Sequence, residues 1–279
     1  MVKDARLAEY DSARCFVHTL QRAINESLKV QLMKKLLMIQ KELLPDHQLV
    51  QDITTSDFPR CHRGDKKLND CIAHALESAK PFIAKGIPRL NLPPFEPLFI
   101  EKIYADQKTQ ALDFKANLTN VLVHGLTDYT CPSFEFDVPN LQFRARCLCR
   151  EIKLVSNYDI EGKILGAPVV GKGNLTSIFG NGEANLTETV EILEKRGVDY
   201  LKVQETKISI AVGKVVARLD GLFDGDEKLG ELTNKLINDN ADEIFRQTTP
   251  FFEELLTTII EDILLKALAQ VPYDKLFPK

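Results

Sequence analysis

Beyond Pro250, nine large apolar residues (Phe251, Phe252, Leu255, Leu256, Ile259, Ile260, Ile263, Leu264 and Leu268) occupy more than one stripe of a single helix. A helix apolar around most of its circumference must be enclosed. Residues 111–222 have the texture to enclose it. Leu112, Phe114, Ala116 and Leu118 alternate with Asp113, Lys115 and Asn117, and Phe134 and Phe136 alternate with Glu135 and Asp137. Ile152, Leu154, Tyr200, Val203, Ile208 and Ile210 continue in short runs, separated by turn residues at Asn157, Gly162, Gly171, Gly180-Asn181-Gly182 and Gly197. The pattern predicts an antiparallel meander with one apolar face. Curved around the last helix, it makes an α+β protein.

Ahead of the strands, residues 61–100 set out a helix and its exit. Asp65 is positioned to cap a helix in which Leu68, Cys71, Ile72, Ala75, Leu76 and Ala79 recur at three- and four-residue steps. Pro81 perturbs it and Gly86-Ile87-Pro88 ends it. Pro93, Pro94 and Pro97 then force an extended run. After the strands, the apolar set Leu229, Leu232, Leu236, Ile237, Ile244 and Phe245 predicts a helix from Asp226, with a kink or break at Pro250. Residues 1–52 read as a helical extension and residues 53–279 as the domain proper.

The 279 residues suffice for a substantial core. A net charge of -4 gives no electrostatic reason to expect nucleic acid or an anionic membrane as partner. No run approaches the roughly 18 apolar residues of a membrane span. The best amino-terminal candidate for an export signal, residues 28–44, is interrupted by Lys29, Lys34, Lys35, Lys41 and Glu42, and reads as an amphipathic helix. Asn25, Asn117, Asn174 and Asn185 head Asn-x-Ser/Thr triplets. Of the six cysteines, Cys61 and Cys71 are the pair best placed for a disulfide, worth roughly 3 kcal/mol on the chain-entropy model. The alternative is two reduced thiols at a helix start. Cys147 and Cys149 share a strand face and are expected to stay thiols, while Cys15 and Cys131 can remain unpaired.

Catalytic and metal motifs are weak. Residues 166–173 nearly spell a phosphate loop, but Gly173 stands where Ser or Thr should ligate magnesium, so a strand turn is the better reading. The five histidines show no metal spacing, no Gly-x-Ser-x-Gly elbow is present, and Asp224-Gly225-Asp226-Glu227 is too sparse in ligands for calcium. No cofactor or metal is expected.

Four ordered segments carry a resemblance that spans nearly everything after the extension. They are Cys61 and Cys71 with Asp65, Leu68 and Asn69; the run AKGIPRLNLPPFEPLFIEKI; Tyr158 and Gly162-Lys163-Ile164-Leu165 with Pro168 and the Gly171-Lys172-Gly173-Asn174 turn; and LFDGDEKLGELTNKLINDNADEIF leading to Leu276-Phe277-Pro278. In this order they resemble the takeout/juvenile hormone-binding protein family of insects, secreted carriers of small hydrophobic ligands. The resemblance implies a TULIP-like fold: a strongly curved antiparallel sheet wrapped around a long C-terminal helix, enclosing an apolar tunnel. It implies that Cys61 and Cys71 are bonded, that the protein is extracellular, and that it carries a terpenoid, fatty acid or quinone-like lipid without performing chemistry. A monomer without stable membrane insertion is expected. Two departures stand out. Ala241 replaces the tryptophan that many members carry after the Asn-x-Asn step. No cysteine after Cys149 is available for the second disulfide of the hormone-binding subset, which favours a general carrier.

The expected tunnel residues are Phe95, Phe99, Phe134, Phe136, Phe143, Tyr200, Phe223, Phe251, Leu255 and Ile259, each of which would serve equally as plain core. Asn117, Asn174 and Asn185 are the expected glycosylation sites. Two other readings stay open. One is an intracellular lipid-transfer module that touches membranes through its amino-terminal amphipathic helix. The other is a small-molecule ester hydrolase.

Overall fold

The computed structural model describes residues 60–279. The extension expected over residues 1–52, with Cys15 and Asn25, lies outside the described residues. Six strands form one antiparallel sheet: β1 (Leu98–Lys108), β2 (Leu112–His124), β3 (Tyr129–Asp137), β4 (Gln142–Ile164), β5 (Ala167–Lys195) and β6 (Val198–Leu219). The order is β1-β2-β4-β5-β6, with β3 also on β4. Residues 153–164 of β4 pair with β2 and residues 142–149 with β3. β2 and β3 thus lie end to end along one side of β4, with a jog at residues 125–128. The meander begins one strand earlier than expected. In β1 the inward positions Leu98, Ile103 and Ala105 change parity part-way, so no clean alternation announces it.

The hairpins follow from local chemistry. Leu165-Gly166 joins β4 to β5 and Arg196-Gly197 joins β5 to β6, with positive φ at all four residues. That is the two-residue turn whose twist suits the strands it connects. The expected phosphate-loop look-alike is this first turn and the start of β5. Gly173 within it is required by a close approach: a Cβ there would lie 1.9 Å from the Asp220 carbonyl oxygen. Tyr158 secures the same crossing, its hydroxyl donating to that oxygen at 2.9 Å.

β5 has 29 residues, an extended contour of about 95 Å. A strand of that length in a small domain has to bend. Asn181 takes a left-handed conformation, φ 53, and the inward set changes parity there. Val169, Ser177 and Phe179 face the interior before it; Glu188 and Val190 do so after it.

Helices supply the cover. α1 (Leu68–Lys85) is followed by α2 (Glu227–Asp239), α3 (Ala241–Leu268) and α4 (Tyr273–Leu276). Asp65 lies two residues ahead of the α1 cap position and takes the Lys67 N–H at 2.9 Å, rather than capping the helix itself. Of the kink or break expected at Pro250, the break is absent, because the chain breaks earlier. Asn240 leaves helical geometry between α2 and α3, and its side chain donates to the Leu236 carbonyl. Pro250 lies inside α3 on an exposed position. Hydroxyls of Thr248 and Thr249 bond the carbonyls of Ile244 and Phe245 in the same turn.

Among the described residues, two disulfides are present. Cys61–Cys71 ties the entry segment to α1. Cys131–Cys147 crosses from β3 to β4 and corrects the expectation that Cys131 and Cys147 stay thiols. The pairing depends on register: with Thr130 opposite Leu148, Cys131 comes to face Cys147 at an irregularity beside Pro132. Cys149 is a half-buried free thiol whose ionisation burial pushes up.

The sheet edges are finished by side chains. Asn234 of α2 accepts from the Leu219 N–H and donates to the Leu219 carbonyl, at 2.8 and 2.9 Å. Asn238, one turn on, does the same for Ala217 at 2.8 and 2.7 Å. Glu253 of α3 accepts from the Ile210 N–H, and Asn69 of α1 from the Phe136 N–H. Removing Asn234 strands a buried donor and acceptor on β6. Asn234→Ala is expected to lower stability by about 2–3 kcal/mol in urea unfolding; a midpoint equal to wild type would contradict its role as an edge partner.

Candidate functional site

The concave face of the sheet, with α3 across it, gathers the apolar side chains in clusters towards two ends. At one end, Leu112, Ala116, Tyr158, Ile160, Val169, Leu219 and Leu222 pack with Ile237 of α2, and Phe223, Ile244 and Phe251 join them. Ile103, Val121 and Leu154 continue this end, meeting Phe179, Phe251 and Leu255. At the other end, Phe136, Val190 and Leu201 pack with Cys61, Leu68, Ile72 and Tyr273. There Phe136 stacks on Phe143 at 3.9 Å, with Phe277 at 4.9 Å and Phe134 against Phe143 at 6.3 Å. The chain terminus closes this end. Arg63 lies over the Tyr273 ring and pairs with Asp274, and its N–H donates to the Pro278 carbonyl.

α3 bridges the two ends. It reaches the first cluster through Ile244 and Phe251 and the second through Leu268. Between them, Ile259, Ile260, Ile263 and Leu264 are only half-buried. Of 28 residues in this helix, Ala241 alone is buried. A core helix in a close-packed interior would bury far more.

The ten expected tunnel residues fall into distinct places. Phe134, Phe136 and Phe143 come together at the disulfide end, and Phe223, Phe251 and Leu255 towards the α2 end. Ile259 lies on the half-buried stretch between. Phe95 is buried at the junction of α1 and β1, its N–H shared by the Ile83 and Ala84 carbonyls, a position in the framework. Two candidates need correcting. Phe99 is 56% exposed. Tyr200 lies next to buried Leu201 and so on the opposite face of β6, with the Lys195 ammonium over its ring. Both failed for one reason: an aromatic residue in a strand says nothing of which face it takes until the parity is known. Asn117, Asn174 and Asn185 sit at outward parity on β2 and β5.

Sequence reasoning missed two sets of interior residues. Phe179, Phe245 and Phe252 form a ring cluster with centroids 5.7–6.1 Å apart. Its signal lay in the helix pattern of Phe245 and Phe252. The polar set had no sequence signal. Among the described residues, Ser156 Oγ and Glu188 Oε1 are buried side-chain atoms without a hydrogen-bond partner. Glu188 is 2% exposed, opposite Phe143 on β4 and Thr206 on β6, and its Oε2 accepts from the Thr206 hydroxyl at 2.7 Å. Two surface concavities lie elsewhere and are lined mainly by polar residues. One of about 570 Å³ lies at the β2–β3 jog among His124, Asp128, Arg150 and Lys153; another of about 310 Å³ lies at the start of α2. Among the described residues, no acidic, histidine and cysteine cluster fits a metal, and no helix is long and apolar enough to cross a membrane.

Burial pushes the Glu188 carboxyl up to about 7, with the Glu261 charge adding to the rise and the Thr206 bond opposing it. A carboxyl raised on folding contributes stability that is whole below its ordinary 4.5 and is lost as pH rises through about 7. The loss is on the order of 3 kcal/mol. Glu188→Gln is expected to flatten the decline in urea midpoint across that window; a wild-type midpoint that climbs there would contradict a buried, protonated Glu188.

Comparison with known proteins places this architecture. The model of the haemolymph juvenile hormone binding protein family matches residues 43–278. The circadian clock-controlled protein daywake of Drosophila yakuba is 26% identical over 241 residues, covering 80% of this chain and 87% of that protein. Daywake of Drosophila melanogaster is 22% identical over 238 residues, covering 80% and 88%. The crystal structure of Epiphyas postvittana Takeout 1 superposes with a TM-score of 0.69 at 18% identity, over 80% of this chain and all of that one. The curled sheet with its long helix is the takeout fold. The chain belongs to the haemolymph juvenile hormone binding protein family, which includes the takeout proteins.

Proposed function

We propose that residues 53–279 form a carrier domain that sequesters one elongated hydrophobic molecule, such as a terpenoid, a fatty acyl lipid or a quinone, between the concave sheet and α3, without chemical turnover. The observation that carries this reading is α3 itself. Its large apolar side chains are turned under a wrapping sheet, yet Ala241 alone of its 28 residues is buried. Half-buried apolar surface inside a fold is surface that a guest can cover. The family description points the same way, to the binding of a hydrophobic hormone in haemolymph.

A guest burying roughly 400 Å² gains on the order of 10 kcal/mol at about 25 cal/mol per Å². Association costs of at least ~4 kcal/mol bring the net to micromolar affinity or somewhat tighter. Length selection would come from the end clusters, and release from opening at one of them. Two disulfides and three asparagine acceptor triplets at outward parity support action outside the cell.

Ile259 tests the reading because a hollow interior and a solid one respond oppositely to added bulk. With space at that position, Ile259→Trp keeps the wild-type Tm within a few degrees and weakens uptake of an uncharged naphthylamine fluorophore roughly tenfold. In a filled core the same change overpacks, costing about 1–3 kcal/mol with no binding to lose. Wild-type protein that takes up no fluorophore would overturn the carrier function.

A further inference from the structure

Glu188 is out of keeping with its surroundings. It projects from β5 towards the concave side, beyond the kink at Asn181, and its cross-strand neighbours are Phe143, whose ring belongs to the aromatic stack, and Thr206. An interior carboxyl with only an alkyl guest to meet would be a pure cost to folding. One oxygen is engaged, Oε2 by the Thr206 hydroxyl at 2.7 Å, while Oε1 is buried and has no partner. That is half of a hydrogen-bonding site, with the other half left for something that enters the interior.

We infer that Glu188, held by Thr206, is the polar anchor of the interior, and that it selects a guest bearing an uncharged oxygen acceptor, the carbonyl of an ester, ketone or quinone, over one bearing a carboxylate. This rests on the carrier reading. Thr206 donates to Oε2, so the proton of a neutral carboxyl is free to sit on Oε1 and be donated to a guest oxygen. Burial favours that neutral form. The charges on the neighbouring elements also disfavour an anion. Phe143 of β4 and Thr206 of β6 are uncharged. On α3, Glu261 adds negative potential, while Asp262 and Lys266 pair with each other at 2.6 Å. A carboxylate headgroup would meet Glu261 with no cation among these groups left to balance it.

Equilibrium binding of isotope-labelled hexadecane, methyl palmitate and palmitate to the whole protein, to E188Q and to E188L tests this. Wild type should bind the ester roughly tenfold more tightly than E188L does, and E188Q should retain most of that, since an amide N–H also donates. Between about pH 6 and about pH 8 the ester should weaken severalfold on wild type and stay constant on E188Q. Hexadecane should bind all three proteins alike, which also reports that the interior of each variant is intact. Palmitate should bind wild type more weakly than the ester and gain in E188L. Hexadecane binding with an ester affinity indifferent to Glu188 would remove the anchor and leave the carrier. Failure of every probe on wild type would remove both.

Discussion

A strand of 29 residues cannot lie flat in a domain this size. Most of the molecule follows from accommodating that length. β4, β5 and β6 must coil, and Asn181 supplies a corner at which the inward parity changes. Coiling makes one face concave, and a concave apolar face must be covered without being cut by another layer of sheet. α3 is the cover, long enough to reach the clusters at both ends. The coiled sheet also leaves edges, which in a flat sheet would invite another strand. Asn234 and Asn238 instead present side-chain amides to Leu219 and Ala217, pairing the β6 backbone as a neighbouring strand would.

The ends and the middle of the interior are built on different terms. At the ends, rings interlock, the Cys61–Cys71 bond anchors α1, and the terminal residues fold back onto Arg63. Along the middle, α3 leaves its isoleucines half-buried, and beside the end clusters Ser156 Oγ and Glu188 Oε1 remain unbonded. Closed ends and an unfinished middle are costly for a protein that only needs to fold. They suit one that must hold something.

Much of this was legible in the residues. The enclosed final helix, the meander, the turn at Gly197 and the Cys61–Cys71 pair follow from apolar periodicity, glycine placement and a family pattern, whereas Asn157, Gly162, Gly171 and Gly180-Asn181-Gly182, read as turn residues, lie within β4 and β5. What escaped reading depended on register or on distant partners. Cys131 meets Cys147 only once β3 is set against β4. Phe99 and Tyr200 face outward because of strand parity that bulges and corners reset. Pro250 looked like a kink or break because propensity is local, whereas α3 runs through it, held by the face it packs. Glu188 could not be distinguished from a solvated strand glutamate, since a single acidic residue at an alternating position is what a surface strand normally carries.

The carrier function proposed above requires that a guest lie between the sheet and α3 in the working protein. Native mass spectrometry of protein purified from its own tissue measures this directly. One non-covalent adduct per chain is expected, in the mass range of a lipid, and it should disappear on organic extraction while the fold survives. A bare chain mass, with no adduct regained on exposure to a lipid extract of the same tissue, would contradict the carrier function.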